Sequence, residues 1–317
     1  MVDLGVLGQS AAATAATDQH SEALVDATGP GSNHAGRVSA VAELGYVRRM
    51  EPIAITEASD ERVADYIGLR DPQHRRQLEG DEFFIAEGIN VIERLISSDF
   101  ALRSVLVTPR RYERMEPMLR HVTCPVYIAD RDVLAHVAGF DLHRGAVASA
   151  DRGAPRPLEE MLRTSRTIAV LEGLNDPENL GAIARSARAL GIDGLVLDPT
   201  CADPFYRRTV RVSMGEILFL AIYRSTDWRR DLSTIAGYGF RLLALTPAAS
   251  ATSIGDVTRH EGDRLALLLG AEGPGLSDKT LASSEPIRIP LRGDVDSLNV
   301  GHAAAIAFAL LAVDLPD

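Results

Sequence analysis

The chain has 317 residues, with 33 Lys and Arg against 44 Asp and Glu, a net charge of −11. At roughly 100–200 residues per domain that length suggests two domains, and the acidity excludes a protein that holds nucleic acid through a bulk positive coat. Lys279 is the only lysine, so 32 of the 33 cations are arginine, the better fork for phosphate.

Residues 1–49 are rich in Ala, Ser, Thr, Gly and His, and Thr28 to Asn33 is a run of chain breakers. Such a segment buries too little apolar surface to offset its ordering entropy, so a disordered tail is expected, with Met50 as an alternative start of translation. The acids Asp3, Asp18, Glu22 and Asp26, and the lack of a basic stretch followed by an apolar run, speak against a transit or signal peptide. No run of about 18 apolar residues suggests a membrane span. Cys124 and Cys201 lie far apart and outside any CxxC. A disulfide framework or zinc site is therefore not expected, and a reduced, cytoplasmic setting is.

From Met50 the pattern alternates. Ser59 is read as capping a helix that carries Val63, Ile67 and Leu69. A strand over Phe83–Ala86 leads through Gly88 to an amphipathic helix from Ile89 to Ser97. Next come a strand from Leu102 to Val107, a helix from Arg110 to His121, a strand over Val126–Ile128, a helix capped by Asp130, and a strand over Ala146–Ala148. Residues 50–153 thus read as a small α/β domain. Arg152 to Pro157 reads as a linker.

The alternation restarts in a second domain, 158–317. The continuous apolar run Thr167–Leu171 suits a parallel strand covered on both faces. A helix from Asn179 to Leu190 ends at Gly191. Strands are expected near Leu195–Leu197, Arg241–Leu245, Leu265–Leu269 and Ile287–Ile289, and helices over Trp228–Ile235 and Asn299–Leu311.

Three glycine-punctuated turns sit at strand ends, where open parallel sheets bind ligands. They run from Glu172 to Gly181, with Arg185 and Arg188 following on the helix, from Gly270 to Ser277, and from Ile289 to Val300. Each has a plain alternative as a helix start, a tight connection or a cap. No glycine loop ends in GK[ST], which excludes a P-loop, and no GxGxxG marks a dinucleotide site.

In this order and spacing the segments resemble the SpoU/TrmH family of RNA methyltransferases, within the SPOUT superfamily. Asn179 followed by Arg185 is similar to the family's first motif, and Gly270-Ala271-Glu272-Gly273-Pro274-Gly275-Leu276-Ser277 to its second. Ile289-Pro290 with Ser297-Leu298-Asn299-Val300 and Ala303 is similar to its third, and Arg211-Val212-Ser213-Met214-Gly215 to its Arg-x-Ser-x-Gly stretch. The resemblance covers residues 167 to about 312. Residues 50–150 more faintly resemble the substrate-binding domain of many members, through Phe84 to Gly88 and His143-Arg144-Gly145, where many members carry Gln in place of Arg144.

The resemblance implies an α/β fold: a C-terminal SPOUT methyltransferase domain with an α/β trefoil knot, preceded by a small α/β substrate-binding domain of L30e-like type. It implies S-adenosylmethionine as cofactor, a ribose 2′-hydroxyl as acceptor, a homodimer that completes each site, and no metal. Leu245, Thr246, Gly270, Ile289 and Leu298 would hold the cofactor. Arg185, Asn179, Glu272, Ser297 and Asn299 would form the catalytic group. Arginine is a poor general base, with a pKa above about 12, so Arg185 reads better as a phosphate clamp and stabiliser of the developing alkoxide. Arg207, Arg208 and Arg211, beside Phe205 and Tyr206, are the first candidates for RNA contacts, with Arg144. Arg75-Arg76 and Arg110-Arg111-Arg114 follow them.

Ribosomal RNA is favoured over transfer RNA by family analogy. The alternatives are a tRNA methyltransferase, a non-catalytic RNA-binding or ribosome-assembly factor, and a small-molecule methyltransferase. No segment is basic: residues 1–49 carry 3 cations and 5 acids, 50–153 carry 13 and 18, and 154–317 carry 17 and 21. RNA binding is thus expected from small arginine clusters rather than from the molecule's overall field.

Overall fold

The computed structural model describes residues 51–142, 145–293 and 295–311. The expected tail over 1–49, Met50, and the candidate Arg144 lie outside the described residues.

The first sheet has five strands: β1 (Ile53–Ile55), β2 (Phe83–Glu87), β3 (Leu102–Val107), β4 (Val126–Ala129) and β5 (Ala146–Asp151), in the order β1-β4-β3-β5-β2. β1, β4 and β3 run parallel, while β5 pairs antiparallel with both β3 and β2. Helices α1 (Pro72–Glu79), α2 (Ile89–Ser97), α3 (Pro109–Leu119) and α4 (Arg131–Ala138) connect them. Every residue of β2 is buried, which explains why it reads as a continuous apolar run. In α2, Val91, Ile92 and Leu95 turn inward at helical spacing.

After α5 (Leu158–Thr164) the chain builds a seven-stranded sheet from β6 (Thr167–Glu172), β7 (Gly194–Leu197), β8 (Ala221–Arg224), β9 (Phe240–Leu245), β10 (Thr252–Ser253), β11 (Arg264–Gly270) and β12 (Glu285–Arg288). The order is β10-β12-β9-β11-β6-β7-β8, and every pairing is parallel. Helices α6 (Pro177–Ala189), α7 (Arg207–Val212), α8 (Trp228–Gly237), α9 (Asp278–Ala282) and α10 (Val300–Leu311) complete this half. Parallel pairing brings all the carboxyl ends to one edge. The register sets Gly270 beside Glu172 and Leu245 beside Ile287.

Several expectations are corrected. The helix assigned to Ser59 is a short 3-10 helix, Glu61–Tyr66, capped by Asp60, whose carboxylate accepts from the Arg62 amide. Its third turn never forms because Ile67 is already extended. Asp130 stands at the N-cap of α4 without a side-chain cap bond. The strands β1, β8 and β10 and the helices α1, α5, α7 and α9 were not expected. They are short, or polar as in the case of α1, and carry little periodic signal.

The two sheets share one continuous core, in which Phe84 and Phe100 from the first half pack on Phe205 from the second at centroid distances of 5.2–5.3 Å. Ion pairs flank this seam. Buried Arg75 donates to Glu79 at 2.8 Å and to the carbonyls of Asp65 and Ile67. Arg152 forks onto both carboxylate oxygens of Asp203 at 2.9 and 2.7 Å. Arg207 bonds buried Glu87, and Arg94 bonds Glu216 at 2.6 Å. Burial pushes the Glu79 carboxyl above its ordinary value, against the pull of Arg75 and Arg152. The Arg-x-Ser-x-Gly stretch forms the turn that docks here. Met214 and Gly215 take φ of +57° and +84°, and a Cβ on Gly215 would stand 3.1 Å from Arg94 of α2. Met214 and Gly215 therefore serve the seam.

Candidate active site

The loops after β9, β11 and β12, with the start of α10, surround a cavity of about 380 Å³. Its lining includes all five residues expected to hold the cofactor: Leu245, Thr246, Gly270, Ile289 and Leu298. Glu272, Ser297 and Asn299 of the expected catalytic group also line it. Leu269, Leu291 and Pro247 add apolar wall that the motifs did not single out. These follow directly on the motif residues along each strand, so the signal was the strand end itself.

The loop after β11 is shaped by glycine. Gly273 and Gly275 take φ of +89° and +71°, and the Gly275 amide donates to the Ala271 carbonyl at 3.0 Å. A Cβ on Gly270 would lie 2.2 Å from the Gly275 carbonyl carbon and 2.3 Å from the Leu276 nitrogen. The end of β11 and its own returning loop therefore pass main chain against main chain, with no room for a side chain. Ser277 caps α9 by accepting from the Thr280 amide.

Three side chains from three segments close a small ring. Asn179, on the first turn of α6, donates to Glu272 Oε1 at 3.0 Å. Asn299 Nδ2 reaches Glu272 Oε1 at 2.8 Å and Asn179 Oδ1 at 2.9 Å. Asn299 Oδ1 in turn accepts from the amides of Gly301 and His302. Asn299 is thus both a cap for α10 and the link between the loops. α6 starts beside them because Asp176 accepts from Glu178 N and Pro177 opens the first turn.

Arg185 is exposed on α6, and no side-chain partner holds it among the described residues. The two carboxylates that could neutralise it are engaged: Glu178 takes Arg208, and Glu172 accepts from Ser277 N at 3.4 Å. Ser297 lines the cavity with no side-chain hydrogen bond among the described residues. Among the described residues no group of three His, Cys, Asp or Glu could hold a metal, and no helix is long and apolar enough to cross a membrane. Burial pushes the thiols of Cys124 and Cys201 up to about 11 and about 12, which leaves neither a nucleophile near neutral pH.

The arginine candidates divide. Arg207 is mostly buried, bonded to Glu87 and to the Leu69 carbonyl at 3.1 Å, with its guanidinium 5.4 Å from the Phe140 ring. Arg75 is sunk beside Glu79, and Phe205 is packed inside the aromatic seam, so neither faces solvent as the RNA-contact reading required. Both were misjudged because their partners lie far off in sequence or are carbonyls. Arg208 is exposed and pairs with exposed Glu178, Nε to Oε1 at 2.7 Å. Arg211 comes within 3.6 Å of Glu87. Arg76, Arg110 and Arg114 are exposed and Arg111 half-buried.

A seven-stranded parallel sheet whose edge loops border a mainly apolar cavity, with Glu272 the one carboxylate among its described lining residues, is the arrangement of a cofactor-binding α/β protein. Residues 166–309 match the SpoU rRNA Methylase family. An uncharacterized tRNA/rRNA methyltransferase of Mycobacterium tuberculosis is 42% identical over 257 residues, covering 80% of this chain and 89% of that one. The 23S rRNA (guanosine(2553)-2′-O)-methyltransferase RlmP of Bacillus subtilis is 25% identical over 253 residues, covering 80% and 96%. The AdoMet-bound rRNA methyltransferase from Sinorhizobium meliloti superposes with a TM-score of 0.67 at 25% identity, covering 81% and 96%. The chain belongs to the SpoU rRNA methylase family, and it is an RNA methyltransferase that uses S-adenosylmethionine.

Proposed function

We propose that this enzyme methylates a ribose 2′-hydroxyl of ribosomal RNA in the cytoplasm, as a homodimer. The observation that carries the reading is the closed ring of Asn179, Glu272 and Asn299 at the cavity, with unpaired Arg185 on the same helix as Asn179.

The cavity suits S-adenosylmethionine. Its walls are mainly apolar, and Glu272 is the one charged side chain among its described lining residues, an anion to balance a sulfonium. Leu245, Thr246, Gly270, Ile289 and Leu298 would hold it. When bound, the cofactor would supply the methyl group, leaving as the neutral thioether, while the hydroxyl proton would pass to solvent water.

The chain's own residues handle the hydroxyl. Arg185 clamps the neighbouring phosphate and stabilises the oxygen as negative charge develops. Asn179 and Asn299 fix Glu272 and with it the loop after β11. Ser297, with its hydroxyl uncommitted, is placed to contact the ribose.

The ribosomal target is supported by the name of the family and by the Bacillus subtilis relative, most of whose length this chain matches. A second copy is supported by α10, which is apolar on every side and leaves Ile306 and Leu310 exposed. The five-stranded half, 50–153, acts as the RNA-binding domain and 158–317 as the catalytic domain.

Incubation of the full chain with tritiated S-adenosylmethionine and unmodified ribosomal RNA, followed by mapping of 2′-O-methyl positions, tests this reading. One defined ribose methylation is expected. A methylated base, or methylation of transfer RNA alone, would overturn the assignment.

A further inference from the structure

A second cavity, of 400 Å³, opens between the two halves of the molecule. Arg70 and Phe140 enter it from the first half, and Tyr206, Arg207, Arg208 and Arg211 from the second. Arg70 and Phe140 are brought to the same wall because the Gly68 amide donates to the Val137 carbonyl at 3.0 Å, and Gly139 packs on Gly68.

The charge of this cleft is opposite to that of the molecule. Four guanidiniums meet there, and the two carboxylates that reach them are Glu87 and Glu178. Glu87 is spent on Arg207 inside the seam, leaving Arg211 at 3.6 Å. Glu178 is half exposed, as is Arg208, and such a solvent-facing pair is weak, so an incoming phosphate can displace it. Arg70 is exposed with no partner among the described residues. Phe140 and Tyr206 add ring faces, on which a base can stack. The volume lies within the range of roughly 300–1,000 Å³ usual for ligand pockets.

Its position matters as much as its charge. Glu178 meets the arginine cleft, and Asn179, the next residue, meets the donor cavity through Glu272. The first turn of α6 thus bonds a lining residue of each cavity, Arg208 on one side and Glu272 on the other.

We propose that this cleft seats one unstacked nucleotide of the substrate RNA beside the nucleotide presented to the donor cavity, its phosphate between Arg70, Arg208 and Arg211 and its base against Tyr206 and Phe140. The proposal rests on the RNA reading above and adds a second subsite to it. Arg207 acts as the fixed floor, held by Glu87. Only a single-stranded or flipped-out nucleotide can enter, since a paired base is hidden inside its duplex.

The test uses the full chain and a fluorescein-labelled single-stranded oligouridylate, read by anisotropy over a range of salt. Tyr206→Ala is expected to weaken binding about tenfold, and Tyr206→Phe, which keeps the ring, to restore it. Arg70→Gln is expected to flatten the slope of log affinity against log salt by about 0.7, one phosphate contact on a single strand. Calorimetric affinity for S-adenosylmethionine should stay within twofold in all three variants, which separates loss of the cleft from misfolding. A matched duplex should bind more weakly than the single strand. Wild-type affinity and salt slope in both Tyr206→Ala and Arg70→Gln, or equal binding of the duplex, would overturn the subsite even if ribosomal RNA is still methylated. Conversely, a wild-type chain that methylates no RNA while its oligouridylate affinity still depends on Tyr206 and Arg70 would sink the catalytic reading and leave the subsite standing.

Discussion

The seam between the two halves and the carboxyl edge of the seven-stranded sheet use arginine in opposite ways. At the seam Arg75, Arg152 and Arg207 are largely withdrawn from water, and each is matched by a carboxylate: Glu79, Asp203 and Glu87. At the edge Arg185 stands in solvent with its neighbouring acids committed elsewhere. Low-dielectric surroundings tolerate a charge only when it is neutralised and hydrogen-bonded. Arg152 and Arg207 therefore tie the two halves together, while Arg75 locks the first half beside them, and all three spend their charge on the fold. The edge arginine contributes little to the fold and keeps its full charge for one. In an acidic chain, the free arginines are the informative ones.

The strongest way to break this contrast is Arg185→Ala. Removing one preorganised charge at a developing oxyanion costs about 10²–10³-fold in rate. We expect methyl transfer to fall by about that factor while calorimetric affinity for S-adenosylmethionine stays within twofold. Arg185→Lys should recover only part of the rate, because the planar fork is lost. A near-normal rate in the alanine variant would move Arg185 out of the active group.

The seam makes the reverse prediction. Glu79→Gln leaves buried Arg75 without its carboxylate, and unpairing a buried ion costs about 3 kcal/mol or more. The midpoint of urea unfolding should drop accordingly. A shift below about 1 kcal/mol would mean that the carbonyls of Asp65 and Ile67 suffice to hold the guanidinium.

Asn299→Ala sharpens the picture at the edge, since it removes two bonds of the ring together with the cap of α10 and one polar side chain of the cavity lining. About a tenfold loss in donor affinity is expected, equivalent to ~1.4 kcal/mol. Unchanged affinity together with a reduced rate would assign the ring to the acceptor side instead.

The smallest effect lies on the outer surface. Hydrogen bonds from the Arg62 side chain and amide hold the Asp60 carboxyl down at about 2, against an ordinary value of 3.8. A depressed acid stabilises the fold above its unfolded value and loses that contribution as pH falls through its folded value. Asp60→Asn should therefore make the melting temperature slightly less sensitive to acid between pH 3.8 and about 2. An identical acid profile in the variant would show that the pair does not contribute.

Much of this was legible in advance, for identifiable reasons. Thr167–Leu171 and Leu265–Leu269 are buried on both faces, so they read as unbroken apolar runs. The glycine turns were visible because tight strand exits need residues without a side chain, and their order made the family resemblance specific. α1 was illegible because its buried face is Arg75 and Glu79, which mimic a solvated helix. The cap at Asp60 was misplaced by one residue, since Ser59 and Asp60 carry equivalent capping chemistry. The fate of Arg207 was beyond reach because Glu87 lies 120 residues earlier. No local pattern reports a pairing of that span, and the arginine cleft escaped notice for the same reason.

The crossing at Gly270 constrains heredity as well as shape. The atoms that would collide with a new side chain belong to the backbone of Gly275 and Leu276, so no neighbouring rotamer can move aside. Any missense change from a glycine codon adds a Cβ. A saturation library selected for methyl transfer should accept exchanges among the aliphatic residues Leu245, Ile289 and Leu298, yet return position 270 only as glycine. Lineages of this enzyme can revise their RNA-facing arginines one codon at a time. At Gly270 the coding sequence has no neighbouring step to take.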